Sequence, residues 1–523
     1  MKNTHLRFIR LFLFPILILA GTTLKSQVIT SVTIDSLVER TLKTFDVPGI
    51  AVAVVKDGKV IHSKGYGVRS LKTGEKVDSN TLFGIASNSK AFTSAALGIL
   101  VDEKKLSWDD KVTDYIPEFK LGNPYVTEEF TVRDLLTHRS GLGLGAGDLM
   151  IFPGNNDFTM KDIIHNLRFL KPVSSFRTKF DYDNLLYIVA GEVVARVSGI
   201  SWEDFIETRI MNPLKMTASV STFSRLKNPS NVIDPHAPVN GKVAVVSRDF
   251  SEVFNAAAGI YSNLTDMSKW IIMQMNHGKY GEGENLRLFS NEVHREMWSL
   301  QTIIPVQDST MYNTHFSGYG LGWFLSDVRG FKQVSHTGGL EGIVTQVTLI
   351  PEMKLGIIVL TNQQLGAAFT AITNTIKDSY FGIKGIDRVK QNSESTAKRQ
   401  AKAIKITDGI WSEIAKQQKT YSGKANDSLF TGSYTDNWYG KVEISIKNGK
   451  LWFDSKRSFS LTGEMLPYKG NTFVVKWNDR SMDADAFVIF DLDQTGKATG
   501  MKMQAISPTT DFSFDFQDLE FKR

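Results

Sequence analysis

Ser87 and Lys90 have the residue types and the spacing that nucleophilic catalysis requires. On a helix, side chains three positions apart share a face about 5–6 Å apart, which would bring the Ser87 hydroxyl within reach of the Lys90 amine. A serine hydroxyl is a weak nucleophile until a neighbouring base accepts its proton. Lys90 is a candidate for that base, because burial in the apolar helix predicted at 91–97 would lower its pKa.

The Ser-x-x-Lys spacing alone identifies no site, because a chain of 523 residues contains it by chance. It recurs at Ser224/Lys227, in a stretch typical of a loop, and at Ser395/Lys398, in a polar and charged stretch. Of the three serines, only Ser87 opens an apolar helix. The alternative interpretation of Ser87 is a serine that caps this helix.

Tyr182 and Asn184 precede a second apolar stretch that is predicted to be helical. A tyrosine near a lysine can act as base or acid, and an amide can bind a substrate carbonyl or orient the lysine. The alternative is that Asp183 or Asn184 caps the helix while Tyr182 packs against it. Because Tyr-x-Asn recurs at 261–263, this motif is also weak by itself.

His336, Thr337, Gly338 and Gly339 form the third candidate stretch, just before an apolar run typical of a strand. Glycines at a strand edge let a substrate backbone approach closely. The N–H groups of Gly339 and Ser87 would together form an oxyanion hole for acyl transfer. The alternatives are a simple turn for the two glycines and a surface or structural role for the histidine.

The elements that must position these residues form a helical region between two groups of strands. A helix near 34–43 is followed by a hairpin that turns at Asp57-Gly58, and helices dominate from about 88 to 300. Later strands and a closing helix are predicted at 322–325, 343–350, 355–360 and 367–380. This order predicts an α+β fold: one antiparallel sheet flanked by helices, with a large helical insertion and Ser87 at the junction where a cleft would form.

The C-terminal part of the chain has a different pattern. Residues 386–427 are polar and are interpreted as a linker that contains a helix at 396–419. Short alternating strands then predict a small β-barrel over 428–523. The last of these strands would carry three aromatic side chains on one face, at Phe512, Phe514 and Phe516.

Composition excludes several classes of protein. The net charge of +6 is mild for this length and no dense Lys/Arg block occurs, so we expect no nucleic-acid partner. The chain has no cysteine, which excludes disulfides, a thiol nucleophile and lipoprotein acylation. The nine histidines form no His-Glu-x-x-His pattern, so we expect no metal and no cofactor.

Residues 1–26 have the features of a secretory signal peptide. Three basic residues precede an apolar stretch at 11–20, which is shorter than the roughly 20 residues that span a bilayer. The alternative is an uncleaved membrane anchor. Because no later stretch is long and apolar enough to cross a membrane, we expect an exported protein, periplasmic or extracellular, with no stable span after cleavage.

Three motifs occur in a fixed order and at long spacing: Ser87-x-x-Lys90, Tyr182-x-Asn184 and His336-Thr337-Gly338. Together they resemble the motifs of the class C β-lactamase and penicillin-binding protein superfamily, over roughly residues 30–385. The resemblance implies a β-lactamase/transpeptidase-like domain, here taken as 27–385. The C-terminal barrel is similar to a lipocalin-like domain often attached to such exported hydrolases.

The resemblance implies a serine hydrolase that works through an acyl-enzyme. Ser87 would be the nucleophile, while Lys90 and Tyr182 would exchange its proton, with the principal base left open. The substrate-binding residues would be Asn184, His336, Thr337, Gly338 and Gly339.

Relatives that hydrolyse β-lactams usually carry lysine at the position of His336. The histidine form is seen among related D-Ala-D-Ala carboxypeptidases, D-aminopeptidases and esterases. Histidine is mostly neutral at pH 7 unless a partner raises its pKa. We therefore expect a small peptide, amide or ester as substrate, with a peptidoglycan fragment among the candidates. The alternatives are a β-lactamase proper and a non-catalytic ligand-binding protein; the oligomeric state is left open.

Overall fold

The computed structural model of the chain describes residues 28–248, 251–307, 310–420 and 427–523. The predicted signal peptide lies outside these residues. In chain order the α-helices are α1 (Ser31–Phe45), α2 (Ser89–Asp102), α3 (Val112–Tyr115), α4 (Pro124–Glu129), α5 (Val132–Leu135), α6 (Met160–Asn166), α7 (Leu185–Ser198), α8 (Trp202–Ile206), α9 (Asn255–Ala258), α10 (Leu264–Met275), α11 (Asn291–Met297), α12 (Gly366–Tyr380) and α13 (Arg388–Thr420). Within the described ranges, no single helix is long and apolar enough to cross a membrane; the bent pair Leu185–Ser198 and Trp202–Met211 passes the same test by length and composition only.

One antiparallel sheet of eight strands is built from both ends of the N-terminal region, as the sequence predicts. Its strands in chain order are β1 (Gly49–Lys56), β2 (Lys59–Gly67), β3 (Thr302–Ile303), β4 (Ser317–Tyr319), β5 (Phe324–Val328), β6 (Phe331–Leu340), β7 (Ile343–Ile350) and β8 (Leu355–Thr361). Their order in the sheet is β2-β1-β8-β7-β6-β5-β4-β3. Because β1 pairs with β8, the helical region between β2 and β3 is an insertion into this sheet.

Strand β1, an interior strand of the sheet, is buried on both faces. Ile50, Val52 and Val54 pack with apolar residues of α1 and α12, whereas Ala51 and Ala53 belong to the core of the helical insertion. Successive side chains of a strand point to opposite faces, so an uninterrupted apolar strand has to be covered on both. Helix α2 directly follows Ser87 and is buried in the core of the helical insertion.

The C-terminal region forms a closed antiparallel barrel, as expected. Its eight strands are β9 (Gly432–Asp436), β10 (Gly440–Lys447), β11 (Lys450–Ser455), β12 (Thr462–Lys469), β13 (Thr472–Trp477), β14 (Ala486–Leu492), β15 (Ala498–Ala505) and β16 (Phe521–Lys522). The helix between sheet and barrel, α13, begins well before the predicted residue 396. Its first turn is held by an ion pair between Arg388 and Asp378 of α12 at 2.6 Å, a tertiary contact that local sequence does not reveal.

The prediction of a last strand carrying Phe512, Phe514 and Phe516 is wrong. Asp511 turns the chain, because its side chain accepts a hydrogen bond from the Ser513 N–H at 3.0 Å and its carbonyl accepts one from the Phe514 N–H at 3.0 Å. Aspartate favours such local turns over a strand. This segment leaves the barrel wall and reaches the cleft described below.

Candidate active site

Ser87 lies on a single 3₁₀ turn, Ala86–Asn88, directly before α2. Ala86 has a φ angle of 49°, in the left-handed region that is unfavourable for a residue with a side chain. The Ser87 hydroxyl accepts a hydrogen bond from Lys90 Nζ at 3.0 Å and caps no helix. The capping interpretation of Ser87 is therefore wrong.

Lys90 is fully buried, and its side-chain nitrogen has two further partners. Nζ donates to Asn184 Oδ1 at 2.7 Å and to the carbonyl oxygen of Ala257 at 3.1 Å. Burial lowers the pKa of Lys90 to about 7, although two nearby carboxyl groups act in the opposite direction. A substantial fraction of the molecules therefore has a neutral amine at neutral pH, which can accept a proton from Ser87.

Tyr182 faces the same serine and lysine. Its hydroxyl lies near that of Ser87 and interacts with it, and Lys90 Nζ lies 4.8 Å from the centre of its ring. Burial raises the pKa of Tyr182 well above the usual value, so the phenol keeps its proton at neutral pH. The capping role weighed for this stretch is filled by Asp183, whose Oδ1 accepts from the Leu186 N–H at 3.3 Å.

Asn184 connects Lys90 to a buried carboxyl group, Asp148, which sequence analysis missed. Asn184 Nδ2 donates to Asp148 Oδ2 at 2.8 Å, so Oδ1 is the amide atom that faces Lys90. A signal for Asp148 exists in the sequence: it is the one charged residue in the glycine-rich, apolar stretch 140–156.

His336 borders the cleft, but both of its ring nitrogens are bonded within the protein. Nδ1 lies 2.6 Å from the carbonyl oxygen of Thr337, which can only accept, so Nδ1 donates and Nε2 accepts from the Tyr319 hydroxyl at 2.9 Å. Burial lowers the pKa of His336 to about 3. The ring is therefore neutral and offers no positive charge to a substrate carboxylate.

Gly338 and Gly339 lie within β6, so the interpretation as a simple turn is wrong. A Cβ atom at Gly338 would lie 2.3 Å from the Ile85 carbonyl oxygen, whereas one at Gly339 would meet no atom within 4 Å. The missing side chain of Gly338 thus lets β6 approach the turn that carries Ser87. Strand β5 pairs with β6 only as far as Ser335, which leaves the following part of β6 with an open edge.

The pairing of β6 also sets the direction of its N–H groups. Leu340 and Ile343 close a two-residue turn between β6 and β7, and such closing pairs exchange hydrogen bonds. Alternate residues of a strand point their N–H groups to opposite edges, so the Gly339 N–H points away from β7 towards the open edge. This direction is compatible with the oxyanion hole expected from the N–H groups of Gly339 and Ser87.

A cleft of about 500 Å³ opens in front of Ser87. Residues of the N-terminal region and of the barrel region line this cleft, and Thr337 is among them. The Phe512 ring, from the barrel region, meets Tyr182 edge-on at 5.9 Å between centres. The described lining contains no arginine or lysine; it contains five phenylalanines and three acidic residues, namely Phe152, Phe180, Phe324, Phe512, Phe514, Glu341, Asp483 and Asp511.

The duplicate motifs lie outside this cleft. Ser224 Oγ donates to Glu252 Oε1 at 2.5 Å, and Ser395 is part of α13. Tyr261 lies in a short strand that pairs with residues 83–84 and so supports the chain leading to Ser87. In the part of the chain that the structure describes, no group of three or more histidine or acidic side chains is arranged to hold a metal ion.

Known proteins share part of this sequence. Unguisins hydrolase ungD of Aspergillus violaceofuscus is 28% identical over 369 residues, 66% of this chain and 64% of that relative. Protein flp of Staphylococcus aureus strain N315 is 28% identical over 337 residues, 63% of this chain and 62% of that relative. Each match therefore spans less than two thirds of the relative's length.

Two solved structures share the fold. The octameric penicillin-binding protein homologue from Pyrococcus abyssi has a TM-score of 0.60 and 21% identity, and covers 95% of this chain and 100% of its own. A class C β-lactamase has a TM-score of 0.54 and 20% identity, and covers 68% of this chain and 97% of its own.

Family models divide the chain in the same way. The model of a domain of unknown function (DUF3471) matches residues 424–523, which include the barrel. The Beta-lactamase model matches residues 34–379, more than half of the chain, and this range contains all three motifs. The chain therefore belongs to the β-lactamase family of serine hydrolases.

Proposed function

We propose that this chain is an exported serine hydrolase that acts through an acyl-enzyme on a small peptide, amide or ester. The observation that carries the proposal is the 3.0 Å contact between Lys90 Nζ and Ser87 Oγ, with a lysine pKa of about 7. Export rests on the signal-like composition of residues 1–26.

In the proposed first step, Ser87 Oγ attacks the substrate carbonyl carbon while its proton moves to the neutral amine of Lys90. The oxyanion that forms accepts hydrogen bonds from the N–H groups of Ser87 and Gly339. The C–N or C–O bond then breaks, and the leaving group takes a proton from the Lys90 ammonium, directly or through the Tyr182 hydroxyl. Water attacks the Ser87 ester in the second step and restores the free enzyme.

Lys90 is the principal base in this proposal, and Tyr182 relays the proton. The choice follows from their opposite pKa shifts, since a catalytic base works best with a pKa near the operating pH. Burial lowers the pKa of Lys90 to about 7, but it raises the pKa of Tyr182 further above neutral pH.

The lining of the cleft favours substrates with apolar groups and without a carboxylate near the scissile bond. Five phenylalanines supply apolar surface, while Glu341, Asp483 and Asp511 would repel an anion. The neutral His336 supplies no compensating charge. A β-lactam carries such a carboxylate, so a β-lactamase proper is the less favoured alternative.

Ser87→Ala should abolish covalent labelling by a fluorophosphonate probe, because the probe forms its bond with an activated serine oxygen. Wild type should label with a stoichiometry of about one per chain, measured by mass spectrometry of the intact protein. Ser224→Ala, the serine of a duplicate motif outside the cleft, is the matched control and should label fully. A folded wild type that does not label would favour the alternative of a non-catalytic ligand-binding protein.

Peptide amides and acyl esters should be hydrolysed at least about tenfold faster, in kcat/KM, than matched substrates with a carboxylate beside the scissile bond. The panel comprises D-amino-acid peptides in amide and free-acid form, short acyl esters and a chromogenic β-lactam, each with the Ser87→Ala control. Free-acid peptides or the β-lactam as the best substrates would contradict the proposed specificity.

A further inference from the structure

A segment of the barrel region reaches behind the active site and holds Asp148. Ser513 Oγ donates to Asp148 Oδ2 at 2.8 Å, and both side chains are buried. The carboxyl group of Asp515 accepts from the N–H groups of Gly147 at 2.7 Å and Leu149 at 3.0 Å, on either side of Asp148. Asp148 is thus held from the barrel region through its side chain and through the backbone of its two neighbours in the chain.

These contacts extend a continuous path to the nucleophile. Asp148 Oδ2 accepts from Asn184, whose Oδ1 accepts from Lys90, which donates to Ser87. We propose that Ser513 and Asp515 are positioning residues of the active site, which act through Asp148 and Asn184 on Lys90. This inference rests on the proposed function and makes the barrel region part of the catalytic apparatus.

The physical need for such residues lies in the symmetry of an amide. A half-turn of the Asn184 side chain would exchange its oxygen for its NH₂ group, and two donors would then face each other at Lys90. Asp148 Oδ2, an acceptor, opposes that turn. Asp148 Oδ1 has no hydrogen-bond partner among the described residues, so the two bonds to Oδ2 and the backbone bonds to Asp515 hold the carboxyl group.

Docking of the barrel does not depend on Ser513. Asn166 Nδ2 donates to the Trp438 carbonyl oxygen at 2.7 Å, and Arg457 Nη2 donates to Asp162 Oδ2 at 3.0 Å, with a second ion pair to Asp157. Removing Arg457 would weaken docking without touching the path to Lys90. Arg457→Ala is therefore a matched control for a purely structural effect.

Loss of the Ser513 hydroxyl should lower the pKa of Lys90. If Asn184 is free to turn, the ammonium form of Lys90 loses an acceptor, which disfavours that form. Burial already raises the pKa of Asp148 well above its usual range, and the hydrogen bond from Ser513 opposes that rise. Losing this bond raises the pKa of Asp148 further, so less negative charge lies near the ammonium, which acts in the same direction. The other titratable groups near Lys90, whose charges also act on its pKa, are two carboxyl groups, two histidines and two tyrosines: Asp148, Asp183, His138, His336, Tyr182 and Tyr187.

The test measures the titration of Lys90 by NMR, in full-length protein labelled with ¹³C at lysine Cε. The Lys90 signal is identified by its loss in Lys90→Arg, and it should titrate near pH 7, far below ordinary lysines. In Ser513→Ala the midpoint should fall by about one pH unit. Ser513→Thr, which keeps the hydroxyl, and Arg457→Ala should both titrate as wild type.

A Ser513→Ala midpoint equal to that of wild type would overturn the inference, as would an equal fall in Arg457→Ala. If Ser513→Ala does not fold, Ser513→Cys, with similar volume and a weaker donor, should shift the midpoint in the same direction and decides in its place. Above the titration of Lys90, where its amine is neutral in every variant, labelling by the fluorophosphonate probe should be about tenfold slower in Ser513→Ala, because a less basic and less well oriented amine accepts the proton of Ser87 less readily. Since the titration requires no catalysis, a wild type that does not label would contradict the proposed function while the NMR result still decides the role of Ser513.

Discussion

Replacing Lys90 by methionine should slow acylation of Ser87 by about a thousandfold, because general-base catalysis typically contributes between about a hundred- and ten-thousandfold. Methionine has a similar length and no basic group. Lys90 is fully buried, and burial lowers its pKa because a buried charge is unfavourable. An uncharged side chain of similar length at this position is therefore compatible with the folded state. The measurement is the rate constant of fluorophosphonate labelling, with thermal unfolding as the check on folding.

The pH dependence of the same rate separates the two candidate bases. In wild type, labelling should accelerate as the pH rises through about 7, because only the neutral amine of Lys90 accepts a proton. Tyr182→Phe should keep this profile at a reduced rate, whereas Lys90→Met should lose it. Two results together would identify Tyr182 as the general base instead of Lys90. Lys90→Met would retain more than about a tenth of the wild-type labelling rate, and Tyr182→Phe would lose the rise of that rate with pH.

The fold could be predicted from the sequence because its signals are local. The Asp57-Gly58 turn, the apolar runs of β7 and β8 and the alternation in β10 each show within a few residues. The order of these elements along the chain, strands at both ends and helices between them, then predicts one sheet with an inserted helical region. A local signal also misled: alternating phenylalanines predicted a strand at 512–516, where Asp511 instead turns the chain.

The missed parts of the site depend on contacts between distant residues. Ser513 and Asp148 are 365 positions apart, and no spacing rule relates them. The neutral state of His336 is likewise a product of burial, since the residue type alone leaves the charge open near pH 7. Motif spacing found the atoms that would react, while the groups that orient them and set their charge belong to the tertiary structure.

Replacing Gly338 by alanine should lower the free energy of unfolding by about 2 kcal/mol and slow acylation by about a hundredfold. The new methyl group would lie 2.3 Å from the Ile85 carbonyl oxygen, 2.5 Å from Thr345 Oγ1 and 2.9 Å from Ala86 Cβ. Backbone atoms cannot turn aside as a flexible side chain can, so β6 and the turn carrying Ser87 have to separate. Chemical denaturation and labelling kinetics measure the two effects.

Gly339→Ala is the matched control one residue further along the same strand. Its methyl group would meet no atom within 4 Å, so stability should stay within about 0.5 kcal/mol of wild type. The variant also keeps the N–H group assigned to the oxyanion hole, so small probes should label it nearly as fast as wild type. Equal effects of the two alanines on stability would contradict the clash expected between a methyl group at Gly338 and the Ile85 carbonyl oxygen. The opposite pattern, a stable Gly338→Ala and an unstable Gly339→Ala, would contradict the strand register itself.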